Sequence, residues 1–267
     1  MQQKSMGVWL ASASERRAEI LLEMLKGMPI WFAHSALIGE ETPVPTGIVV
    51  EAMVSHITNE KANTAKLEVS LGRIEQLSWH WMGNSDSENP NSKDTGINSR
   101  GNMKGGNTLK PSVIVKSPSP PTSIENVIVI VADTLVADPD DAFSALGQPA
   151  DELSAAGMLI RLSGRRHLVW SGTTLFGAFV CSGVESATVE IAELNESKLE
   201  YLLNNGSWKG KAGAYDLAGE MASNAKLVAG DELAVLGFAS QVLSELMEKL
   251  ETKCHSSRSS YSTTKSL

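Results

Sequence analysis

The sequence of 267 residues has few cysteines, few aromatic residues and fewer basic than acidic side chains. Its two cysteines, Cys181 and Cys254, lie far apart and the second stands in a polar tail, so we expect a reduced, cytoplasmic protein. The formal net charge of −8 argues against duplex nucleic acid as the main partner, because binding to it requires a basic face. No apolar run approaches about 18 residues and no signal-peptide core is present, so we expect no membrane span and no export signal.

Apolar segments with two different periods alternate along the chain and predict both strands and helices. Residues 126–132, with the sequence NVIVIVA, are typical of a strand that is buried on both faces. Further strands are predicted at residues 7–11, 30–33, 167–180 and 184–194. Alternating strands and helices indicate an α/β sandwich, and the two last strands predict that part of the sheet is antiparallel.

Helices are predicted where apolar residues recur at helical spacing or where a capping residue precedes such a segment. Asn195 is expected to cap a helix that ends at Gly206, and Pro149 is expected to be the first residue of another. The stripes that we expect to face the core are Ala18, Leu21, Leu22 and Leu25; Val50, Met53, Val54 and Ile57; Leu153, Ala156, Gly157 and Ile160; and Ala239, Val242, Leu243 and Leu246.

One segment, from about Glu68 to Glu125, is rich in Ser, Asn, Gly, Lys and Pro and lacks apolar periodicity. We interpret it as a disordered insertion into a single domain of residues 6–251, and we expect its removal to leave folding intact. Within it, two tryptophans flank His80, which indicates either a small cluster packed on the domain surface or a partner-binding motif. The tail, residues 252–267, is also predicted to be disordered.

The stretch LASASERR near the start of the chain is a candidate phosphate site. Ser12 and Ser14 stand where a strand ends and a helix begins, so that backbone N–H groups and the positive end of the helix dipole meet there. Arg16 and Arg17 add fixed positive charge and forked donors that suit phosphate oxygens. The alternative is a helix that Ser14 caps, with Glu15 in its first turn and two solvated arginines.

Other candidates are distributed along the chain. Asp133 directly follows the predicted NVIVIVA strand, and with Thr134 it is a candidate for binding a hard divalent cation or orienting a water. The alternative is a structural aspartate at a strand end. Lys61 lies near the apolar face of its helix, where a lysine either passes the edge of the core or reaches into a cleft. The loop KGKAGAY contains Lys211 and is a weak candidate for wrapping phosphates.

In their order along the chain, the motifs LASASERR, EETP, NEKA, VADTLV, LGQP, LSGRRH followed by SG, and KGKAGAY resemble the Maf family of nucleoside triphosphate pyrophosphatases. The similarity covers nearly the whole chain outside the insertion and the tail. It implies a two-lobed α/β sandwich with a mixed sheet and a central cleft, often found as a dimer. It also implies a hydrolase of nucleotide metabolism that acts on phosphoric anhydride bonds. Such an enzyme converts a normal or modified nucleoside triphosphate to the monophosphate and pyrophosphate with Mg²⁺ or Mn²⁺.

The same resemblance implies roles for individual residues. Glu41 and Asp133 match the acidic pair that holds the metal or activates water, and Lys61 and Lys211 match lysines that neutralise the phosphate chain. The residues that match positions contacting the substrate are Ser12, Ser14, Arg16, Arg17, Thr134 and Gln148.

The sequence departs from the family pattern at three of these motifs. Glu15 replaces a proline, Gln148 replaces the lysine of the GKP motif, and Ala218 replaces a glutamine that reads a pyrimidine base in one subgroup. Thr134 fits the subgroup that acts on thymidine and uridine triphosphates, whereas Ala218 does not. The alternative to an active enzyme is therefore a catalytically weak Maf-like protein that binds nucleotide or regulates cell division.

Overall fold

A computed structural model describes residues 5–39, 42–83 and 117–262 of the chain, with side chains described as far as residue 253. These residues form one mixed sheet of eight strands with helices on both of its faces, as the sequence predicted. The strands are β1 (Gly7–Ala11), β2 (Trp31–Ser35), β3 (His80–Trp81), β4 (Val127–Asp138), β5 (Asp141–Leu146), β6 (Arg166–Gly177), β7 (Cys181–Ile191) and β8 (Ala225–Ala229). The helices are α1 (Glu15–Leu25), α2 (Val50–Ser70), α3 (Arg73–Gln76), α4 (Glu152–Leu162), α5 (Glu196–Asn204), α6 (Glu232–Leu236) and α7 (Ser240–Ser262).

The sheet changes from parallel to antiparallel pairing at β4. The strand order is β3-β2-β1-β4-β6-β7-β8, with β5 paired to the end of β4. Strand β1 runs parallel to both β2 and β4, whereas β6 runs antiparallel to β4. Strand β1 pairs with β4 only as far as Ile130, whereas the pairing of β4 with β6 continues to Val136. On the side of β1, β4 pairs with β5 only from Val136 onward, so residues 131–135 have an open edge there, and the cleft forms at this edge.

Side chains of β4 alternate between the two faces of the sheet, because successive residues of a strand point in opposite directions. On one face, Ile128 and Ile130 pack with buried residues of α1 and α7. On the other face, Val129 and Val131 pack with Ala62 and Ala65 of α2 and with residues of α3. Every residue from Val127 to Ala132 is buried, so the strand is covered on both faces as its composition predicted.

A second lobe is built around the far ends of the long strands. Val136, Val169 and Val189 pack there with residues of α4 and α5 and with the loop that carries Trp208 and Tyr215. Strands β4 and β6 run through both lobes and contribute residues to both cores. The sequence prediction of a two-lobed sandwich is confirmed in this arrangement.

The predicted stripe of α4 is wrong. The helix begins at Glu152, after an Asp151 N-cap, and it buries Ala155, Leu159 and Leu162. Leu153 and Ile160, which we expected in the core, are 83% and 61% exposed. In α1, Leu22 of the predicted stripe is 42% exposed, whereas its other members are buried. The predicted stripes of α2 and α7 are buried throughout.

The predicted start of the insertion also needs correction. Helix α2 runs through Glu68 to Ser70, and α3 and β3 follow it within the packed domain. Ile74 and Leu77 are buried, and Trp79 packs beside them with its indole N–H bonded to the carbonyl oxygen of Ile74 (3.2 Å). The segment as a whole is rich in polar residues, so its composition did not indicate these apolar contacts. The Trp-His-Trp segment thus forms a local cluster on the domain.

At the other end of the chain, α7 continues to Ser262, although disorder was predicted from Thr252 onward. The prediction for the remaining tail and for residues 84–116 lies outside the described residues. No helix in the described part of the chain is both long enough and apolar enough to cross a membrane.

Candidate active site

A cleft of about 500 Å³ opens where β1 ends and β4 continues. It is lined by the β1–α1 turn, the loop after β2, the middle of β4 and the loop before Tyr215. Its charged and polar lining consists of Ser12, Ser14, Glu15, Arg16, Arg17, Thr42, Lys61, Thr64, Asp133, Thr134, Gln148, Lys209, Lys211, Tyr215 and Asp216. The motifs that are separated along the sequence therefore meet at one place.

The charge of this lining is opposite in sign to that of the whole chain. Five cationic side chains and three carboxylates line the cleft among the described residues, whereas the chain carries a formal net charge of −8. A concave surface with excess positive charge attracts anions and raises their local concentration. The arrangement is suited to a ligand that carries several negative charges.

Asp133 and Thr134 are adjacent in β4 and face opposite sides of the sheet. Asp133 lies on the side of α2, where its Oδ2 is 2.8 Å from Lys61 Nζ. Its other oxygen, Oδ1, accepts the backbone N–H of Thr134 (2.8 Å), which fixes the orientation of the carboxylate. The side chains of Lys61 and Asp133 are each 18% exposed. The partner of Oδ1 is thus a backbone N–H, whereas the partner of Oδ2 is the side chain of Lys61.

Thr134 lies on the side of α1, and its hydroxyl accepts a hydrogen bond from Arg17 Nη2 (2.9 Å). Arg17 also donates from Nε to the carbonyl oxygen of Gly237 (2.9 Å) and from Nη1 to Ser12 Oγ (3.4 Å). Burial lowers the pKa of Arg17, and the nearby Asp133 carboxylate counteracts part of this shift. Arg17 is thus a fixed cation that joins the first turn of the chain to β4.

A second charged cluster lies at the other wall of the cleft. Asp216 Oδ2 is 3.1 Å from Arg16 Nη2 and 3.2 Å from Lys211 Nζ. Burial by itself would raise the pKa of Asp216, but the charges and hydrogen bonds of Lys211 and Arg16 outweigh it and hold that pKa below its ordinary value. Sequence reasoning did not identify Asp216, although its position directly after the KGKAGAY motif was an available signal.

A buried pair of residues, His167 and Tyr215, supports the loop that carries Lys211 and Asp216. Tyr215 OH and His167 Nε2 are 2.8 Å apart, and both residues are buried. Burial lowers the pKa of His167 to about 4, so the imidazole is neutral at pH 7. In the same loop, Gly213 has φ +68° and packs against Val136, where a Cβ would lie 2.9 Å from Val136 Cγ2. These contacts fix the wall of the cleft opposite α1.

Ser14 caps α1, which was the alternative interpretation of the LASASERR stretch. It is the N-cap of α1, and its side chain accepts the N–H of Arg17 (3.4 Å). It also lines the cleft, so capping and ligand contact are compatible. Gln148 is exposed and lines the cleft without a charge, whereas Ala218 is not among the lining residues.

Nine of the ten predicted site residues thus line a single cleft: Ser12, Ser14, Arg16, Arg17, Lys61, Asp133, Thr134, Gln148 and Lys211. Glu41, the tenth, lies outside the described residues. The roles assigned to these residues stay predictions. Within the described ranges, no group of three or more His, Cys, Asp or Glu residues is arranged to hold a metal ion by itself.

Comparison with known proteins identifies relatives with a common description. The chain is 33% identical over 124 residues to the dTTP/UTP pyrophosphatase of Pyrococcus abyssi, which covers 46% of this chain and 65% of that protein. It is 36% identical over 111 residues to the dTTP/UTP pyrophosphatase of Symbiobacterium thermophilum, which covers 41% of this chain and 56% of that protein. The matches span less than two thirds of the length of both relatives.

A family model described as Maf-like protein matches residues 7–250, which include every described strand and all seven helices at least in part. The match runs across both lobes and the cleft between them. The chain therefore belongs to the family of Maf-like proteins.

Proposed function

We propose that the chain is a nucleoside triphosphate pyrophosphatase. In the proposed reaction, a water oxygen bonds to the α-phosphorus and the bond from this phosphorus to the bridging oxygen breaks. Pyrophosphate leaves with the electrons of that bond, and the nucleoside monophosphate remains. The observation that carries the proposal is the excess of cations in the cleft of a chain with net charge −8.

Hydrolysis of a phosphoric anhydride depends mainly on positioning and on neutralising the charge of the phosphoryl oxygens and the leaving group. Lys61, Arg16 and Lys211 supply this charge from two sides of the cleft. They are paired with Asp133 and Asp216, so these carboxylates already orient the cations toward the cleft. A preoriented charge loses less free energy to reorganisation during the reaction.

We propose that Oδ2 of Asp133 is the oxygen that activates the attacking water. Its neighbour Oδ1 is held by a backbone N–H, whereas Oδ2 is paired with the side chain of Lys61. We propose that Asp133 accepts a proton from the water at this oxygen or binds a metal ion there. Replacing it with asparagine removes both capacities while keeping the shape of the side chain.

A divalent metal fits the donor chemistry of this cleft. Mg²⁺ is commonly bound by one or two carboxylates together with phosphate oxygens of the substrate, and Asp133 provides such a carboxylate. Glu41 is the second ligand that the sequence resemblance implies. When bound, the metal would neutralise phosphate charge and lower the pKa of a coordinated water.

The test is pyrophosphate release from dTTP, UTP, CTP, GTP and ATP, measured with and without Mg²⁺ or Mn²⁺. dTTP and UTP are tested first because the relatives are named dTTP/UTP pyrophosphatases. We expect metal-dependent release by the wild type and a loss of about 10³-fold or more in Asp133→Asn. Asp141→Asn is the matched control, because Asp141 is exposed at the start of β5, outside the cleft, and accepts the backbone N–H of Phe143.

The uncharged Gln148 at the cleft favours the alternative of a nucleotide-binding protein with weak catalysis. Calorimetric titration with a nonhydrolysable triphosphate analogue separates the two proposals. Tight binding without pyrophosphate release from any nucleotide would support the alternative. Neither binding nor release would contradict both.

A further inference from the structure

Glu68 is a buried carboxylate outside the cleft. Its side chain is 9% exposed, it stands at the last turn of α2, and it does not line the cleft. Its Oε1 accepts the backbone N–H of Ile38 at 2.6 Å. An acidic side chain is seldom buried unless it is paired, so its partners indicate its purpose.

Arg73, at the start of α3, is the charged partner of Glu68. Arg73 Nε is 3.4 Å from Glu68 Oε2, and Arg73 Nη2 donates to Ser35 Oγ (3.1 Å) and to the carbonyl oxygen of Ala36 (3.4 Å). Ser35 Oγ also accepts the indole N–H of Trp9 (3.1 Å). The pair therefore holds the end of β2 and the first residues of the loop that follows it.

The loop held in this way forms one wall of the cleft. Ala36, Leu37 and Gly39 line the cleft, and Glu68 and Arg73 contact the same loop through Ile38 and Ala36. Gly39 also lies close to α2, where a Cβ would be 3.1 Å from Thr64 Cγ2. The carbonyl oxygen of Ser35 accepts the N–H of Ser12 (3.1 Å), which connects the anchor to the β1–α1 turn, the neighbouring part of the cleft lining.

We infer that Glu68 and Arg73 are positioning residues that fix the 36–39 wall of the cleft at the distance the substrate requires. The expected effect on kinetics rests on the proposed pyrophosphatase activity. The anchoring of the loop by Glu68 and Arg73 does not depend on that activity. Both residues lie where the sequence alone indicated an insertion, so a segment without a recognisable motif supports the site. Neither residue touches the cleft, and their effect on the reaction passes through the loop.

The anchoring is tested by hydrogen–deuterium exchange of the wild type, Glu68→Ala and Glu68→Gln without substrate. We expect faster exchange of the peptide that contains Ile38 in Glu68→Ala, because the amide loses its acceptor. Glu68→Gln keeps an oxygen at this position and is expected to exchange more slowly than Glu68→Ala. If Glu68→Ala does not fold, Glu68→Gln is compared with the wild type instead. Unchanged exchange in both variants would overturn the inference.

The kinetic consequence is tested by steady-state pyrophosphate release per folded molecule. We expect kcat/KM to fall about tenfold or more in Glu68→Ala and less in Glu68→Gln, since small displacements of a site wall are costly in catalysis. Glu75→Gln is the control, because this carboxylate lies in α3 beside Arg73 and is exposed. We expect it to behave like the wild type.

A purely structural role predicts a different result. It would lower the melting temperature of the Glu68 variants and leave kcat and KM of the folded fraction unchanged, which would overturn the inference. A wild type that releases no pyrophosphate would contradict the proposed function instead. In that case the exchange experiment still decides whether Glu68 anchors the loop.

Discussion

Gly172 in β6 packs so closely against Thr58 in α2 that a Cβ on the glycine would lie 2.4 Å from Thr58 Oγ1. The same Cβ would lie 2.8 Å from Val54 Cγ1, one turn earlier in the helix. The two elements approach here because β6 presents a residue without a side chain. Lys61 follows Thr58 by less than one helical turn, so this contact also sets the position of the lysine relative to Asp133.

Replacing Gly172 with alanine is expected to displace α2 from the sheet. Overpacking of this kind costs about 1–3 kcal/mol, and we expect the free energy of unfolding to fall by this amount in urea denaturation. We also expect pyrophosphate release by the folded variant to fall about tenfold, because Lys61 moves with the helix. Unchanged activity would show that the position of α2 is not critical.

Gly157→Ala is the matched control for that substitution. Gly157 lies in α4, is exposed, and has no atom within 4 Å of the place where a Cβ would be built. Because alanine is the better helix former, we expect this variant to gain about 0.5–1 kcal/mol in unfolding free energy. Its activity is expected to equal that of the wild type.

The buried His167 is expected to make stability depend on pH. Burial lowers its pKa from 6.5 to about 4, so the unfolded chain binds a proton between these values that the folded chain does not bind. The contribution of His167 to the free energy of unfolding is therefore fully present above about pH 6.5. It is lost as the pH falls, and we expect the free energy of unfolding to decrease by about 2 kcal/mol between pH 7 and pH 4.5. Urea denaturation at the two pH values measures this difference.

Two histidine variants test whether His167 causes the loss. In His167→Gln the difference in unfolding free energy between pH 7 and pH 4.5 is expected to shrink, whereas exposed His56→Gln keeps it. Asp138 and Asp216 have lowered pKa values, so their stabilising contributions are lost below about pH 4, outside this range. An undiminished difference in His167→Gln would assign the pH dependence to other groups.

Gln148→Lys is expected to increase activity. The side chain is exposed at the rim of the cleft, and a lysine there adds a sixth cation to the described lining. A charge-assisted contact is worth about 1.5–3 kcal/mol, of which solvent exposure removes part, so we expect kcat/KM to rise about tenfold. Gln76→Lys, at an exposed position outside the cleft, controls for the added charge. An increase in both variants would indicate a general effect of charge.

Residues 84–116 are expected to be dispensable for folding. The segments on either side of them, represented by Trp79 and Pro121, both pack on Gly7, where a Cβ would lie 2.8 Å from Trp79 Cζ3 and 2.7 Å from Pro121 Cγ. We expect a short Gly-Ser linker in place of residues 84–116 to keep the melting temperature within about 5 °C of the wild type.

A deletion that extends back to residue 68 is expected to abolish cooperative unfolding. It removes the buried Ile74 and Leu77, as well as Glu68 and Arg73. Circular dichroism melting curves of the two deletions compare the outcomes directly. A folded longer deletion would contradict the expectation that residues 68–83 belong to the packed domain.

Sequence reasoning placed Asp133 at a strand end, whereas it lies in the middle of β4. The end of a neighbouring strand explains why this position still lines the cleft. What ends near Asp133 is the neighbouring β1, which pairs with β4 only as far as Ile130. The apolar run ends where β4 passes the end of β1, although β4 continues to Asp138 and is buried again from Leu135 onward.

The wrong stripe of α4 has a different cause. Its sequence, ELSAAGMLIRL, has apolar residues on more than one face, so helical periodicity alone does not select between them. The buried set, Ala155, Leu159 and Leu162, is selected by contacts with Val136 and Val169, which are near neighbours only after folding. Glu68 and Asp216 escaped prediction for a similar reason, because each has one partner that comes close only in the folded chain: the backbone N–H of Ile38 for Glu68 and the side chain of Arg16 for Asp216.

The two carboxylates that occupy the cations of the cleft also bear on how products leave. In the proposed reaction, Arg16 and Lys211 can return to Asp216, and Lys61 can return to Asp133, when pyrophosphate departs. The protein would thus exchange one set of ion pairs for another, and none of these three cations would be left uncompensated in a partly buried site. Such internal counter-ions would weaken the hold of the cleft on a highly charged product and favour repeated turnover over trapping.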